Sequence, residues 1–383
     1  MIMKRTTRLV FSVLLAVFCT SLWAGTGPGS DTKLTKSIDR SFRVSKNSHF
    51  ELVNKYGQII INTWEKDSIK LNVTITAYGK NYSEAEKLLD RVDIDFRQTG
   101  QYLTTETLLD RRSGFFKELW NNISDYSKTL LSKTKLEVDY QVYMPTTVDL
   151  DLDNKFGDIY LGEIDAKCDI NIMHGNLRAN RIHKTSNIEV AYGDVKIKEL
   201  AAGRLTLKTV EGDILTLGDV QLKSSSSEIY IKKADKIDID SRSDKKLRFE
   251  EVNRLSGKGL FSKFEIDRLA KSLDLDMNYG EINAASIPFS FSKINVEGKN
   301  TDIFVKFDPG VYLEVDIQAK EEDLSIPADS RSLTKKYTDD KEKYVHIKGT
   351  LGEKNNYPGY VYINSYGGEV SLELSGLSHS VNK

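Results

Sequence analysis

Residues 156–195 read FGDIYLGEIDAKCDINIMHGNLRANRIHKTSNIEVAYGDV, and this stretch decides the fold. Three copies of one short motif lie within it: Phe156-Gly157-Asp158-Ile159, His174-Gly175-Asn176-Leu177 and Tyr192-Gly193-Asp194-Val195. A fourth, Glu211-Gly212-Asp213-Ile214, follows, and the four glycines are 18, 18 and 19 residues apart. A fixed short period indicates stacked coils, each of which needs its neighbours to bury its apolar side.

The repeat extends beyond this stretch. Further copies are Tyr56-Gly57-Gln58-Ile59, Tyr279-Gly280-Glu281-Ile282 and the looser Tyr366-Gly367-Gly368-Glu369-Val370. Apolar residues at alternate positions, such as Ile170 and Ile172, predict short half-buried strands, which a sandwich could also contain. The constant step favours coils, although the period drops to roughly 15 or 16 where serine turns replace glycine. We predict an all-β protein, a single-stranded β-solenoid of about 18-residue coils, with short helices in an N-terminal insertion.

The N-terminus has the pattern of a secretory signal peptide. Lys4, Arg5 and Arg8 precede an apolar run at 9–18 that is too short for a comfortable membrane span, and Ala24 follows as a small residue. We predict cleavage after Ala24 and an exported product. The chain has a formal net charge of −1, and its first 24 residues hold three basic and no acidic residues, so cleavage would leave −4.

Composition limits the classes of partner and anchor. Acidic and basic residues are interspersed, so no basic field is present to attract nucleic acid. No later stretch reaches membrane-spanning length, which predicts no transmembrane anchor. Beyond the signal peptide Cys168 is the only cysteine, so intramolecular disulfides are excluded. Its alternation with Ile170 predicts a buried, apolar role.

The pattern divides the chain into six segments. They are a signal peptide at 1–24, a flexible leader at 25–41, N-terminal strands at 42–147 with a helical excursion at 83–90 and 114–131, solenoid repeats at 148–320, a charged loop at 321–343 and capping strands at 344–383. Ser83 is the predicted cap of the first helix.

Two columns of side chains are candidate binding sites. The acidic corner residues would stack along one edge and could bind calcium; they are Asp158, Asp194, Asp213 and Glu281. The nine-residue calcium repeat is absent and Asn176 breaks the column, so we favour turn formation, in which glycine supplies a positive φ. On that reasoning Gly193→Val should destabilise the fold.

The second column is aromatic. The corner rings Phe156, Tyr192 and Tyr279 could form a platform on which carbohydrate stacks. However, His174, Glu211 and Ser226 interrupt this column. We therefore favour the interpretation that the rings cover the corner. A separate apolar stretch of Phe115, Phe116 and Trp120 lies on the predicted excursion. It could be an interaction patch, although packing against the solenoid is favoured.

Motifs for catalysis are lacking. The histidines have no partner at metal-ligand spacing, and Lys258 lacks the frame of a phosphate-binding loop. The five histidines are His49, His174, His183, His346 and His379. We therefore predict no catalytic, cofactor-binding or metal-binding residues, and no cofactor. A polysaccharide lyase or glycosidase stays open as an alternative, because its residues would come from adjacent coils and leave no linear motif.

Several segments together resemble a known family. They are ELVNKYGQI at 51–59, WEKD at 64–67, SEAEKLLD at 83–90, DYQVYMP at 139–145 and DNKFGDI at 153–159. Over about 42–374 the chain resembles the exported bacterial β-strand-repeat proteins known as "putative adhesins", a domain-of-unknown-function family. The resemblance implies a β-solenoid and an envelope location in Gram-negative bacteria. It brings no activity and no site residues.

These observations predict an exported, non-enzymatic β-solenoid in the bacterial cell envelope. It would present a binding or scaffolding surface to an unidentified protein or glycan, in the periplasm or on the outer cell surface. The alternatives are a carbohydrate-active enzyme on a β-helix and a periplasmic partner of an envelope signalling system. Converging acidic and basic residues on one coil face would favour the enzyme, and a flat polar face would favour a binding surface.

Overall fold

A computed structural model describes residues 31–109, 135–327, 332–339, 341–352 and 358–375. The predicted signal peptide, the predicted helix at 114–131 and the Phe115, Phe116 and Trp120 patch lie outside these ranges. The described elements, in chain order, are β1 Thr32–Arg43, β2 His49–Lys55, β3 Ile59–Thr63, β4 Ser68–Gly79, α1 Tyr82–Leu89, β5 Val92–Thr99, β6 Tyr102–Leu109, β7 Leu136–Met144, β8 Asp149–Lys155, β9 Ile159–Leu161, β10 Cys168–Met173, β11 Leu177–Ser225, β12 Glu228–Arg242, β13 Lys246–Leu260, β14 Lys263–Ile287, β15 Lys293–Phe307, β16 Tyr312–Lys320, a 3-10 turn Glu321–Asp323, β17 Leu324–Ser325, β18 Leu333–Asp339, β19 Tyr344–Gly352, β20 Gly359–Tyr366 and β21 Val370–Leu374. Within them no helix is long and apolar enough to cross a membrane.

Each coil has two longer sides joined by bends. On side A the parallel strands β2, β8 and β10 place Leu52, Leu152 and Ile170 in one row. On side B the parallel strands β3 and β9 and the start of β11 place Ile61, Leu161 and Ala179 in another row. These residues are buried in one continuous core, because alternate side chains of a strand point to the same face. The prediction of an all-β solenoid is confirmed.

The corner between side A and side B recurs at a residue with positive φ that is not glycine. These residues are Tyr56, Phe156, His174, Tyr192, Thr209, Ser226, Ser243, Phe261, Tyr279 and Asn300. From Phe156 to Tyr279 they follow every 17 or 18 residues, so the predicted shortening to 15 or 16 is wrong. Corner N–H groups donate across coils, for example from Phe156 to the Met173 carbonyl oxygen at 2.9 Å. These hydrogen bonds help to offset the cost of the left-handed conformation.

The N-terminal end contains a coil that is inserted out of sequence order. Strands β2 and β3 lie between β8–β9 on one side and β6–β7 on the other. Beyond them the pairing turns antiparallel: β5 pairs with β6, β4 with β7 and β1 with β4. These antiparallel strands cover the first edge of the parallel stack, which would otherwise be open to other chains.

The C-terminal end repeats this arrangement. Strands β20 and β21 lie between β15 and the β16–β17 coil, and β19 and β18 add antiparallel strands outside β16. The prediction that the last strands form a final layer or a cap is therefore wrong for β20 and β21, which are internal. Strand pairing over such sequence distances leaves no local signal.

Three predicted segments differ from the structure. The leader predicted at 25–41 is a strand from Thr32, because half-buried residues such as Leu34 and Ile38 alternate along it. The loop predicted at 321–343 contains β17 and β18, and β18 is held by antiparallel pairing with almost every side chain exposed, so it has no apolar alternation to detect. Helix α1 begins at Tyr82, and Asn81 rather than Ser83 caps it by accepting from the Glu84 N–H at 2.9 Å.

Candidate binding surface

The corner glycines are required by close approach rather than by positive φ. The positive φ belongs to the residue before each glycine, for example Tyr192 at 62°. A Cβ built on Gly193 would lie 2.0 Å from the carbonyl oxygen of Gly175, and one on Gly175 would lie 2.0 Å from that of Gly157. The predicted role of the glycine is therefore wrong in its reason, while its place at the corner is right.

Side chains of the predicted acidic column accept hydrogen bonds from backbone N–H groups. Asp158 Oδ1 accepts from the Asn176 N–H at 2.9 Å, and Asn176 Oδ1 accepts from the Asp194 N–H at 2.8 Å. Glu281 is paired with Lys263 Nζ at 3.1 Å. Asp213 does not lie at a corner, because the corner of its coil is Thr209. The side chains thus connect coils, as the turn-forming interpretation expects.

The aromatic column is more continuous than predicted. Tyr56, Phe156, His174 and Tyr192 stack with ring centroids 5.4, 5.2 and 4.8 Å apart. The prediction that His174 interrupts the column is wrong, since its imidazole lies 2° from the plane of Phe156. Partial burial lowers the pKa of His174. Because the rings cover one another's faces, we interpret the column as a cover for the corner rather than as a platform that offers free ring faces to a ligand.

Serine and aspartate replace glycine further along. The Val210 N–H donates to Ser227 Oγ at 3.1 Å, and the Ser227 N–H donates to Asp244 Oδ1 at 2.8 Å. The hydroxyls of Ser224 and Ser241 both donate to Asp244 Oδ2 at 2.6 Å. Asp244 is 2% exposed, and burial raises its pKa against the opposing effect of these hydrogen bonds. This network is internal, because Ser224, Ser227, Ser241 and Asp244 are all buried.

The remaining sequence candidates are dispersed. Cys168 is fully buried, as predicted, and Lys258 pairs with Asp240 at 3.5 Å. The histidines lie apart: His49 makes a tilted ring contact with Tyr102, His174 is in the aromatic column, His183 contacts Glu163, His346 contacts Asp316, and His379 is outside the described residues.

One group of three metal-ligating side chains is brought together at the bend after side B. Glu163, Asp165 and His183 offer ligand atoms within 4.8 Å of one another, because Ile164 and Ile182 pair in parallel. His183 Nε2 lies 2.9 Å from Glu163 Oε1, and Arg181 lies 3.8 Å from the same carboxylate. Arg181 already supplies a cation to this exposed group, so we interpret it as an ion-pair cluster.

Side B carries an open depression of about 470 Å³ that sequence reasoning missed. Its lining includes Gly162, which directly follows β9 and has no side chain. Two rows of outward residues line it. The first row is Ile60, Tyr160, Arg178, Lys196 and Asp213, and the second is Asn62, Gly162, Asn180, Lys198 and Leu215. The strand pairings place Ile60 opposite Tyr160 and Tyr160 opposite Arg178.

The depression is positively charged. Arg178, Lys196 and Lys198 line it against a single carboxylate, Asp213. Arg178 lies over the Tyr160 ring at 5.7 Å, and none of the three cations forms an ion pair with a described carboxylate. The only signal in the sequence is that Gly162 stands where the equivalent positions of other coils carry larger side chains. This signal can be recognised only once the coils are aligned.

Fold and surface together define a β-solenoid with a shallow exposed depression on side B. The sequence profile of the Toastrack family, DUF4097, matches residues 59–353, and the chain belongs to that family. The predicted family resemblance is thereby confirmed. No curated protein matches the chain.

Two solved structures align over most of the chain. A "putative cell adhesion protein" from Clostridium sporogenes is 10% identical and covers 89% of this chain and 100% of its own, with a TM-score of 0.17. A "putative adhesin" from Bacteroides fragilis is 10% identical and covers 88% of this chain and 97% of its own, with a TM-score of 0.21. At these TM-scores the likeness carries no argument about function.

Proposed function

We propose that this protein is an exported, non-enzymatic binding protein of the bacterial cell envelope. The depression on side B carries the proposal, because it is an open surface with three cations that lack an ion-pair partner among the described residues. The signal-peptide pattern at 1–24 supports export.

The geometry of the depression favours binding over hydrolysis. Glycoside hydrolysis generally uses two carboxyl groups that flank the bond to be cleaved. Asp213 is the one carboxylate among the residues that line the depression. The depression is therefore a better candidate for holding a ligand than for cleaving one. The signalling alternative has no specific observation in its favour.

The test is fractionation and protease shaving of intact cells. We expect the chain to begin at Gly25 in the mature protein, as read by mass spectrometry, and to be absent from the cytosol. Digestion on intact cells, with a periplasmic protein protected as the control, would place the surface outside the cell, and protection of both would place it in the periplasm. An unprocessed chain in the cytosolic fraction would contradict the proposal.

A further inference from the structure

We infer that the side B depression binds an acidic polysaccharide, one whose sugar units carry carboxylate groups. The inference rests on the proposed binding function and names its ligand class. Gly162 lines the depression without a side chain, and the depression extends across the outer surface of several adjacent coils. An open surface of this kind admits a chain that continues past both ends, whereas small molecules are usually held in more enclosed pockets.

Charge selects an anion. On later coils several outward cations of side B have partners, such as Arg248 with Asp267 at 2.9 Å and Lys246 with Glu265 at 3.4 Å. Arg178, Lys196 and Lys198 have none among the described residues, although the protein as a whole is slightly acidic. The residues that line the depression carry three positive charges and one negative charge, so this local patch has a net positive charge that is complementary to carboxylates.

Spacing favours a repeating polymer over a single anion. Neighbouring strands lie about 4.8 Å apart, and outward residues two positions apart on one strand lie about 6.6 Å apart. The repeat places Arg178 and Lys196 at equivalent points of successive coils, and Lys196 and Lys198 lie two positions apart on one strand. The cations thus form an array with steps of a few ångströms, which a regularly charged chain can contact at several points.

Neighbouring groups suit sugar rings. The aromatic ring of Tyr160 lines the depression. Ile60 and Leu215 add apolar surface, and Leu215 is 42% exposed. Apolar and aromatic side chains pack against the C–H faces of sugars, while amides bond hydroxyl groups. The side-chain amides of Asn62 and Asn180 line the same depression and make no hydrogen bond within the described structure. A bare inorganic anion would use only the cations.

The test is binding of the purified mature chain to polygalacturonate, with neutral dextran and polyphosphate as comparison probes. We expect polygalacturonate to bind and dextran not to bind. The double variant Lys196→Glu/Lys198→Glu should weaken binding about tenfold or more, because it reverses two charges of the array. Tyr160→Ala should weaken polygalacturonate several-fold and leave polyphosphate unchanged.

Lys232→Glu is the matched control, since Lys232 is an exposed cation of side B without an ion-pair partner among the described residues and lies outside the lining of the depression. It should bind as the unaltered protein does, and circular dichroism should show every variant folded. Absence of polygalacturonate binding, equal binding of dextran, stronger binding of polyphosphate or an equal loss in Lys232→Glu would each overturn the inference. A cytosolic location with intact polymer binding would instead contradict the proposed envelope function alone.

Discussion

Residues 156–194 and 209–262 turn the same corner in two ways. In the first stretch a glycine follows the corner residue, and the next side chain, as in Asp158, accepts from the N–H of the following coil. In the second stretch the residue after the corner carries an inward side chain, as in Ser227 and Asp244, which accepts from the N–H of the preceding coil. The direction of the connecting hydrogen bond is therefore reversed.

The comparison shows which requirement is constant. At every corner a backbone N–H needs a hydrogen-bond acceptor, and the chain passes close to a carbonyl group of the neighbouring coil. The acceptor is needed because buried backbone groups without partners are costly. Gly193 allows the close approach because it has no Cβ, and Asp244 supplies the hydrogen-bond acceptor with its carboxylate. The fold can lose its signature residue and keep its geometry, since the requirement belongs to the position.

The largest expected effect comes from Gly193→Ala, which should destabilise the fold by about 3 kcal/mol because its Cβ would meet the Gly175 carbonyl oxygen at 2.0 Å. Urea unfolding measures the loss. Gly193→Asn should be no milder, which separates close approach from positive φ, a conformation that Asn tolerates. Gly162→Ala is the matched control, since its nearest contact is 3.4 Å and it should change stability little. A mild Gly193→Asn beside a severe Gly193→Ala would contradict the steric account.

In the serine and aspartate stretch, Asp244→Ala should cost about 3 kcal/mol, because it leaves buried hydroxyl and N–H donors without an acceptor. Asp244→Asn keeps an acceptor oxygen and should cost less. Chemical denaturation of both variants gives the comparison. Equal stability of Asp244→Ala and the unaltered protein would show that the network does not hold this corner.

The same residue predicts a dependence on pH. Burial raises the pKa of Asp244, so in the acidic range the folded state binds more protons than the unfolded state does. Stability should then fall as the pH rises from the ordinary aspartate pKa of about 4 through the higher folded value, and level off above it. Asp244→Asn should remove this component in urea titrations run at several pH values. An unchanged pH profile in the variant would contradict the assignment.

The aromatic column of the glycine stretch predicts the smallest effect. His174→Asn keeps a residue that tolerates positive φ and removes the stacked ring, so it should cost about 1 kcal/mol. Because partial burial lowers the pKa of His174, its contribution is present above about pH 6.5 and is lost as the pH falls through the lower folded value. Thermal melts at pH 7.5 and pH 5 should show this acid sensitivity in the unaltered chain and less of it in the variant. Identical acid sensitivity would show that another group is responsible.

Sequence reasoning succeeded where the repeat was exact. The 18-residue step from Phe156 to Tyr192 predicted the stacked coils. It failed at Glu211-Gly212-Asp213-Ile214, which looks like another copy although the corner had already passed at Thr209. Gly212 there pairs with Ile229 in the next coil, and its missing side chain would face that residue at 3.1 Å. The corner advances 17 residues from Tyr192 to Thr209, while the glycine advances 19 from Gly193 to Gly212, so the motif is two residues out of register although its appearance is unchanged.

The sequence by itself determined the all-β class, the solenoid and its period, because alternation and repetition are local properties of the chain. Only the tertiary structure decided the order of coils at the two ends, where β2–β3 and β20–β21 are inserted between strands distant in sequence. It also decided the side B depression, since Gly162, Arg178 and Lys198 become neighbours through stacking. Pairing between coils aligns residues that are a full repeat apart. The pattern within one coil therefore cannot predict which charged side chains lack an ion-pair partner on a neighbouring coil.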